Sequence, residues 1–332
     1  MNSGDKAFVY GPKTLGQRRD QALGALSWIL NALLLVKYPA EKAARRELKS
    51  AFERELKTES KSGHQLFDWT TNIDRLSVEV RTNDPRHFLR WKVVRETMFL
   101  SSVHGAELKF LKRAEWPFYR NAITEVPIGN PIRTPDMRTS ANRIHQAYHI
   151  ARFFDHRKNR IEDLKCIMEF GGGYGCMCHL LCSMGFKGEY VLYDLPHFSQ
   201  LQKYYLTSTG LTVRSSADGA RTSNPSIWCV SSFQELDVVL ERIGLTDPSL
   251  FIATWSLSEA PVAVRNLVSK RIGGFSSFLI GYQNRFEQVD NSEYFRNFTK
   301  DFGSTAWRNV PIEHDKGNHY LFGEREPDAP PC

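Results

Sequence analysis

Met168-Glu169-Phe170-Gly171-Gly172-Gly173-Tyr174-Gly175 carries the strongest structural signal in the chain. Apolar Cys166 and Ile167 lead into it, so it reads as the end of a buried strand opening into a turn. Four glycines in five positions let the backbone turn sharply and let a ligand approach with no Cβ in the way. An apolar, helix-compatible run follows from Cys176 to Met184. Strand, glycine turn and helix N-terminus together make a nucleotide-type cradle.

Downstream, apolar strand-like runs alternate with helix-like runs. Strands are expected at 166–170, 190–193, 250–254, 278–282 and 319–322, with a weak one at 212–213 or 227–230. Helices fit at 176–184, 198–208, 233–243, 260–271 and 291–302. Such alternation predicts an α/β fold, a Rossmann-like, doubly wound, mostly parallel sheet.

Upstream the pattern is helical. Residues 22–57 read as two helices broken near Tyr38-Pro39, the second a charged, solvated one. Residues 60–120 read as helices with breaks at Gly63, at Asn83-Asp84-Pro85 and at Gly105. The Pro/Gly-rich segment from Val126 through Pro135 reads as a linker or rigid loop, after which Ser140 caps a helix running to about Phe154. The expected division is a helical N-terminal region at 1–125, a ligand-binding domain at 126–325 and a loose Pro-rich tail at 326–332. The N-terminal helices are expected to cover the substrate, to form a homodimer, or both.

The apolar run at 22–36 is shorter than the roughly 20 residues needed to span a bilayer, and Ser27 and Asn31 interrupt it. Leu23, Leu26, Leu30 and Leu33 mark one helical face, expected to be buried or self-associating. No membrane span and a cytoplasmic location are expected. Six cysteines without a framework spacing fit a reducing compartment. The net charge of +7 favours anionic partners such as phosphorylated sugars or acidic glycans. Basic, aromatic stretches around Arg86–Arg95 and Lys109–Arg120 read as core with basic edges, and no nucleic-acid partner is expected.

The ligand follows from the glycine spacing. A dinucleotide fingerprint starting at Gly171 and Gly173 needs a third glycine where Cys176 stands. What fits is Glu169-x-Gly171-x-Gly173-x-Gly175, a strand-borne acid followed by alternating glycines. This arrangement suits S-adenosylmethionine (SAM), whose sulfonium and ammonium are cationic and which carries no pyrophosphate. Asp194, at the next strand end beside Leu195, can accept hydrogen bonds from ribose hydroxyls, as it would in a dinucleotide site too.

Glu169–Gly175, Asp194-Leu195-Pro196 and Thr254-Trp255-Ser256-Leu257-Ser258-Glu259-Ala260-Pro261 together resemble the sugar O-methyltransferase family of class I SAM-dependent enzymes. Gly129-Asn130-Pro131 with Tyr148, Tyr282–Phe286 with Asp290-Asn291, and His319-Tyr320-Leu321 fit the same family, over about residues 125–325. The resemblance implies methyl transfer from SAM to a sugar hydroxyl of a glycan, a lipid-linked saccharide or a glycosylated small molecule, with S-adenosylhomocysteine as product. It implies cofactor contacts at Glu169, Gly171, Gly173, Tyr174, Gly175, Asp194, Leu195, Ser232, Phe233 and Thr254. The alternatives are methylation of RNA or another small molecule, or a non-catalytic SAM-binding scaffold.

A hydroxyl is a poor nucleophile near neutral pH, so a base or a metal must weaken its O–H bond. Glu259, after the strand ending at Thr254, is the first candidate base, and its alternative role is to favour a helix N-terminus. His314 and His319 near the last strand are the others. Trp255, Ser256, Asn284 and Arg285 are candidate substrate contacts. Cys176, Cys178, His179 and Cys182 lack the spacing of a zinc site and read as small buried residues behind the turn. A divalent metal at Asp290 with His314 or His319 is conceivable, but no spacing requires it, and none is predicted.

Overall fold

The computed structural model describes residues 15–58, 70–98, 104–155, 160–215, 225–245 and 247–325. The expected break at Gly63 and the Pro-rich tail lie outside them. Among the described residues the α-helices that precede the sheet are α1 (Leu15–Leu35), α2 (Glu41–Thr58), α3 (Thr70–Thr82), α4 (Lys92–Met98), α5 (His104–Arg113), α6 (Trp116–Ala122) and α7 (Ala141–Phe154). The break at Tyr38-Pro39 separates α1 from α2, and the one at Asn83-Asp84-Pro85 ends α3. Gly105, by contrast, lies in the first turn of α5 rather than in a break. A first-turn glycine forfeits little, because the leading N–H groups of a helix lack intrahelical partners in any case.

The second half runs β1 (Cys166–Phe170), α8 (Cys176–Ser183), β2 (Glu189–Tyr193), α9 (Pro196–Ser208), β3 (Val213–Arg214), β4 (Ser226–Val230) and α10 (Phe233–Ile243). It continues with β5 (Ser249–Thr254), α11 (Ser256–Glu259), α12 (Val262–Ile272), β6 (Ser277–Gln283), the hairpin β7 (Arg285–Phe286) and β8 (Val289–Asp290), α13 (Asn291–Asp301), β9 (Thr305–Pro311) and β10 (Asn318–Arg325). The eight-stranded sheet has the order β3-β4-β2-β1-β5-β6-β10-β9. Every pairing is parallel except those of β10, which runs antiparallel to both β6 and β9. This is the Rossmann-like, doubly wound, mostly parallel fold expected from the sequence. The weak third strand is realised twice, as β3 and as β4. Strand β9 was not anticipated: it is an edge strand, largely exposed and closed by Pro311, so it carries little apolar signal.

Period-two alternation divides the core. In β5, Leu250 and Ile252 join the cluster under α7, α8 and α9, whereas Phe251 and Ala253 join the cluster under α10, α12 and α13. By the same alternation Glu169 falls on the Ile167 side of β1, the face covered by the N-terminal helices. Those helices are not a separate layer. Leu48, Leu76, Val80 and Leu111 belong to the same apolar cluster as Ile167 and Leu192. Ser140 caps α7 by accepting a hydrogen bond from Arg143 N, as expected.

Helix α1 docks through its polar residues. Ser27 and Asn31 are buried, Leu23 and Leu30 are half-buried, and Leu26 and Leu33 are exposed, so of the two expectations for the leucine face, burial is not met. Asn31 Nδ2 donates to Asn130 Oδ1 at 3.0 Å and to Pro131 O at 2.9 Å, and Arg133 Nε donates to Asn31 Oδ1 at 2.8 Å. Ser27 Oγ accepts from Arg133 N at 3.0 Å. The two polar residues that seemed to interrupt an apolar run therefore dock it. The 127–131 segment is a rigid, buried loop, with Arg90 Nε donating to Asn130 O at 2.7 Å. Among the described residues no helix is long and apolar enough to cross a membrane.

Replacing Asn31 by Leu raises the apolar content of α1 but removes the acceptor of Arg133 Nε and the donor to Asn130 Oδ1 and Pro131 O. Urea denaturation should show a loss of about 3 kcal/mol. An unchanged midpoint would mean that this network does not hold α1.

Candidate functional site

The chain leaves β1 toward β2 and β4 on one side and returns to β5 and β6 on the other, so a topological switch point lies outside the carboxyl ends of β1 and β5. There the glycine turn meets α11. A Cβ on Gly171 would stand 2.2 Å from Ser256 Cβ, and Gly171 has φ +74°. Ser256 Oγ donates to Phe170 O across the junction. Both features require glycine at 171. Gly175, with φ +93°, starts α8 against Leu206.

A cavity of about 670 Å³ opens over this junction. That is the volume range of small-molecule sites. Its floor is the glycine turn with Glu169, Asp194 and Leu195; one wall is Thr254, Trp255, Ser256 and Glu259. The opposite wall is the Asn142, His145, Gln146 and His149 face of α7. Asn72, Glu96, Thr97 and Met98 of α3 and α4 close over it, and Phe286, Glu287 and Val289 of the β7–β8 hairpin border it.

Two carboxyls stand at the turn, Glu169 buried and Asp194 half-buried. Tyr190 OH donates to Glu169 Oε2 at 2.7 Å. Burial pushes the Glu169 carboxyl up to about 7, and the neighbouring Asp194 adds to the shift. Asp194 accepts from Gly173 N at 3.0 Å, Leu195 N at 2.8 Å and Gln202 Nε2 at 2.9 Å, yet burial still raises it to about 7. These three bonds leave roughly one of its four acceptor positions open. Asp194 therefore ties the turn to α9 first and can serve a ligand second. Glu259 is the third raised carboxyl, pushed by burial to about 7, with only a 3.5 Å contact from Gln283 Nε2.

Trp255 has φ +64°, a costly conformation for a bulky residue. Three contacts hold it there. Its N–H bonds Gly281 O at 2.8 Å, its indole donates to Asn318 Oδ1 at 2.7 Å, and its ring lies 5.7 Å from that of His145 and 5.2 Å from that of His149. Arg265 fixes the following turn, donating from Nε to Ala260 O at 2.7 Å and from Nη2 to Ser258 O at 2.5 Å.

Of the residues expected to form the site, Glu169, Gly171, Gly173, Tyr174, Asp194, Leu195, Thr254, Trp255, Ser256 and Glu259 line the cavity. The others stand elsewhere. Ser232 caps α10, accepting from Glu235 N at 3.1 Å. Phe233 stacks on Tyr193, a cavity residue, at 4.8 Å, and so acts one layer behind the wall. Asn284 ties its loop, bonding Gly317 O through its N–H at 2.8 Å, and Arg285 is exposed on β7. The residues of that hairpin that reach the cavity are Phe286, Glu287 and Val289. His319 stacks on Tyr282 at 5.3 Å, and burial lowers its imidazole pKa. His314 sits behind the wall, its Nε2 at 3.3 Å from Glu107 Oε1. Asp290 caps α13, accepting from Glu293 N. Among the described residues no three His, Cys, Asp or Glu side chains are grouped to hold a metal. Burial pushes the Cys176 thiol up to about 12, so it is no thiolate near neutral pH.

The sequence reading passed over α7. Asn142, His145, Gln146 and His149 recur at helical spacing and form a polar stripe on one face of α7. Its partner Glu107, on α5, has no local signal.

No protein-family model matches this sequence, and no curated protein matches it. Solved structures that it is similar to include a fibrillarin pre-rRNA processing protein of Methanococcus jannaschii, at 13% identity, covering 51% of this chain and 70% of that one, with a TM-score of 0.37. Another is magnesium protoporphyrin IX methyltransferase of Synechocystis PCC 6803 with bound SAM, at 11% identity, 68% and 99% coverage and a TM-score of 0.38. A third is a SAM-dependent methyltransferase of Aquifex aeolicus, at 11% identity, 66% and 98% coverage and a TM-score of 0.38. Likeness at this level carries no argument about the ligand, and the functional reading rests on the cavity's own residues.

The raised carboxyls predict a pH effect on stability. Glu169 and Asp194 stay protonated in the folded chain up to about 7 but ionise near 4 when unfolded. Between those values the native state binds more protons, so stability falls as pH rises through that window. Glu169→Gln should lose less stability than the parent between pH 5 and pH 8 in denaturant titrations. Equal losses would contradict a buried, protonated Glu169.

Proposed function

We propose that the chain is a SAM-dependent O-methyltransferase acting on a sugar hydroxyl of a glycan, a lipid-linked saccharide or a glycosylated small molecule. The observation that carries this reading is the glycine turn at the β1–β5 switch point, with the carboxyls of Glu169 and Asp194 beneath it and a cavity running on past Trp255. The fit to SAM is chemical. Glu169 offers a buried carboxyl to a cationic ligand, Asp194 keeps an acceptor position for a ribose hydroxyl, and Gly171 and Gly173 bring the backbone close. When bound, SAM supplies an electrophilic methyl carbon and a neutral thioether as leaving group. The chain's own part is to orient the acceptor, exclude water and hold the proton that leaves. In this reading Glu259 and Ser256 bind acceptor hydroxyls, and the indole of Trp255 packs against the sugar ring. The positive net charge favours an anionic saccharide. The exposed leucines of α1 are the surface through which a second copy would pair, and a monomer by light scattering would remove that part of the proposal.

Titration calorimetry with SAM and S-adenosylhomocysteine tests the cofactor, and binding of neither would overturn the reading. SAM affinity should rise from pH 6 to pH 8, since ionised Glu169 and Asp194 favour a cation. Glu169→Gln should weaken SAM about tenfold and flatten that dependence.

Tritium transfer from methyl-labelled SAM to uronic acids, hexosamines and neutral methyl glycosides tests the acceptor. Label passing only to RNA or to non-sugar hydroxyls would replace the sugar assignment. Glu259→Gln should raise the acceptor KM about tenfold while leaving SAM affinity unchanged.

A further inference from the structure

The cavity wall opposite the glycine turn is built around an acid–histidine pair. Glu107 of α5 is fully buried. Its Oε1 lies 2.6 Å from Nδ1 of His145 on α7, and its Oε2 has no partner. His145 lines the cavity, and its ring is flanked by His149 at 4.1 Å and by Trp255 at 5.7 Å. A carboxylate at Nδ1 fixes the neutral imidazole as the Nδ1–H tautomer, which leaves the Nε2 lone pair as a proton acceptor. His149 is held differently. Its Nδ1 is 2.5 Å from Tyr320 OH, and burial with His145 and His314 nearby keeps its pKa well below the ordinary histidine value. It stays neutral beside His145 and adds no competing charge.

We infer that His145, oriented by Glu107, is the base that takes the proton from the acceptor hydroxyl. This rests on the methyltransferase reading above and adds to it a catalytic residue from the helical half of the chain. In the step, the hydroxyl proton passes to His145 Nε2 and the hydroxyl oxygen bonds the methyl carbon. The electron pair of the broken carbon–sulfur bond stays on sulfur. The positive charge lost from the sulfonium reappears on the imidazole, where the Glu107 carboxylate balances it. Glu107 is thus a positioning residue, and charge conservation gives it a purpose that its burial alone would make costly.

His145 suits the role better than Glu259. The imidazole is fixed at Nδ1 and bounded by two rings, whereas the Glu259 carboxyl has one 3.5 Å contact. The groups that face His145 are Glu107 of α5, His149 of its own helix, Trp255 after β5 and, through Glu107, His314 before β10.

The first test needs no substrate. Proton NMR of the full chain follows the exchange-protected ring N–H of His145, assigned by its disappearance in His145→Gln. Glu107→Leu, which removes the acceptor at Nδ1, should lose that resonance. A retained resonance would overturn the pairing. The second test uses whichever glycoside accepts label from SAM. His145→Gln should lower kcat by about 10²-fold or more with SAM affinity by calorimetry unchanged. In Glu107→Leu, kcat should fall with the acceptor KM and SAM affinity unchanged. Full turnover in His145→Gln would overturn the inference and leave the methyltransferase reading standing. SAM binding without transfer to any saccharide would sink the sugar reading, while the ring N–H resonance still reports on the pair.

Discussion

The site depends on one close approach. Gly171, at the end of β1, and Ser256, at the start of α11, touch where the chain switches sides of the sheet, and no side chain at 171 would fit between them. The hydrogen bond from Ser256 Oγ to Phe170 O locks the two strand ends together. The glycine turn is placed by this junction, and Asp194 is tied to that turn through Gly173 N. The junction sets the glycine turn on one side and starts the turn of Trp255 and Glu259 on the other. The positive φ of Trp255 is the local cost, offset by its indole hydrogen bond to Asn318 and its backbone bond to Gly281.

Around that junction the chain buries charge where it needs fixed geometry. Arg133 docks α1 on the 127–131 loop, Arg265 clamps the carbonyls of α11, and Arg143 reaches Ala122 O and His179 from the hidden side of α7. Each guanidinium is directed at carbonyls and side-chain acceptors in several directions at once, which a lysine could not match. The result is that the helical region and the sheet share one apolar cluster and meet across the cavity. The N-terminal helices are a wall of the site as well as a cover for it.

The parts of this arrangement legible in the sequence are those written in contiguous residues. The strands β1, β2, β5 and β6 are short apolar runs bounded by turn residues, and α7 announces itself through Ser140. The glycine turn, Glu169 and Asp194 can be read because a nucleotide cradle is built from one strand end and the next. Strand β9 escaped because an exposed edge strand carries no apolar stripe. The inward side of helix α1 is not legible: a leucine face outweighs two polar residues in any periodicity argument, yet Ser27 and Asn31 have partners on a loop a hundred residues away. Asn284, Arg285, His314 and His319 were placed by proximity to strand ends, and proximity in sequence does not say which way a side chain points.

What the sequence determined by itself was the doubly wound sheet and the end of the cavity that faces the glycine turn. Both follow from local periodicity and from conformations that only glycine adopts easily. What only the tertiary structure decided was the opposite end. Glu107, Trp255 and the His145–His149 face come from α5, the turn after β5 and α7, and nothing in the separations between these three elements along the chain relates them. They meet because helices with apolar faces pack on one side of the sheet. The polar stripe of α7 is left facing the cavity, and a buried carboxylate must find a partner. Long-range packing of that kind leaves no spacing rule in the sequence, so the acceptor end of the site becomes visible only once the chain is folded.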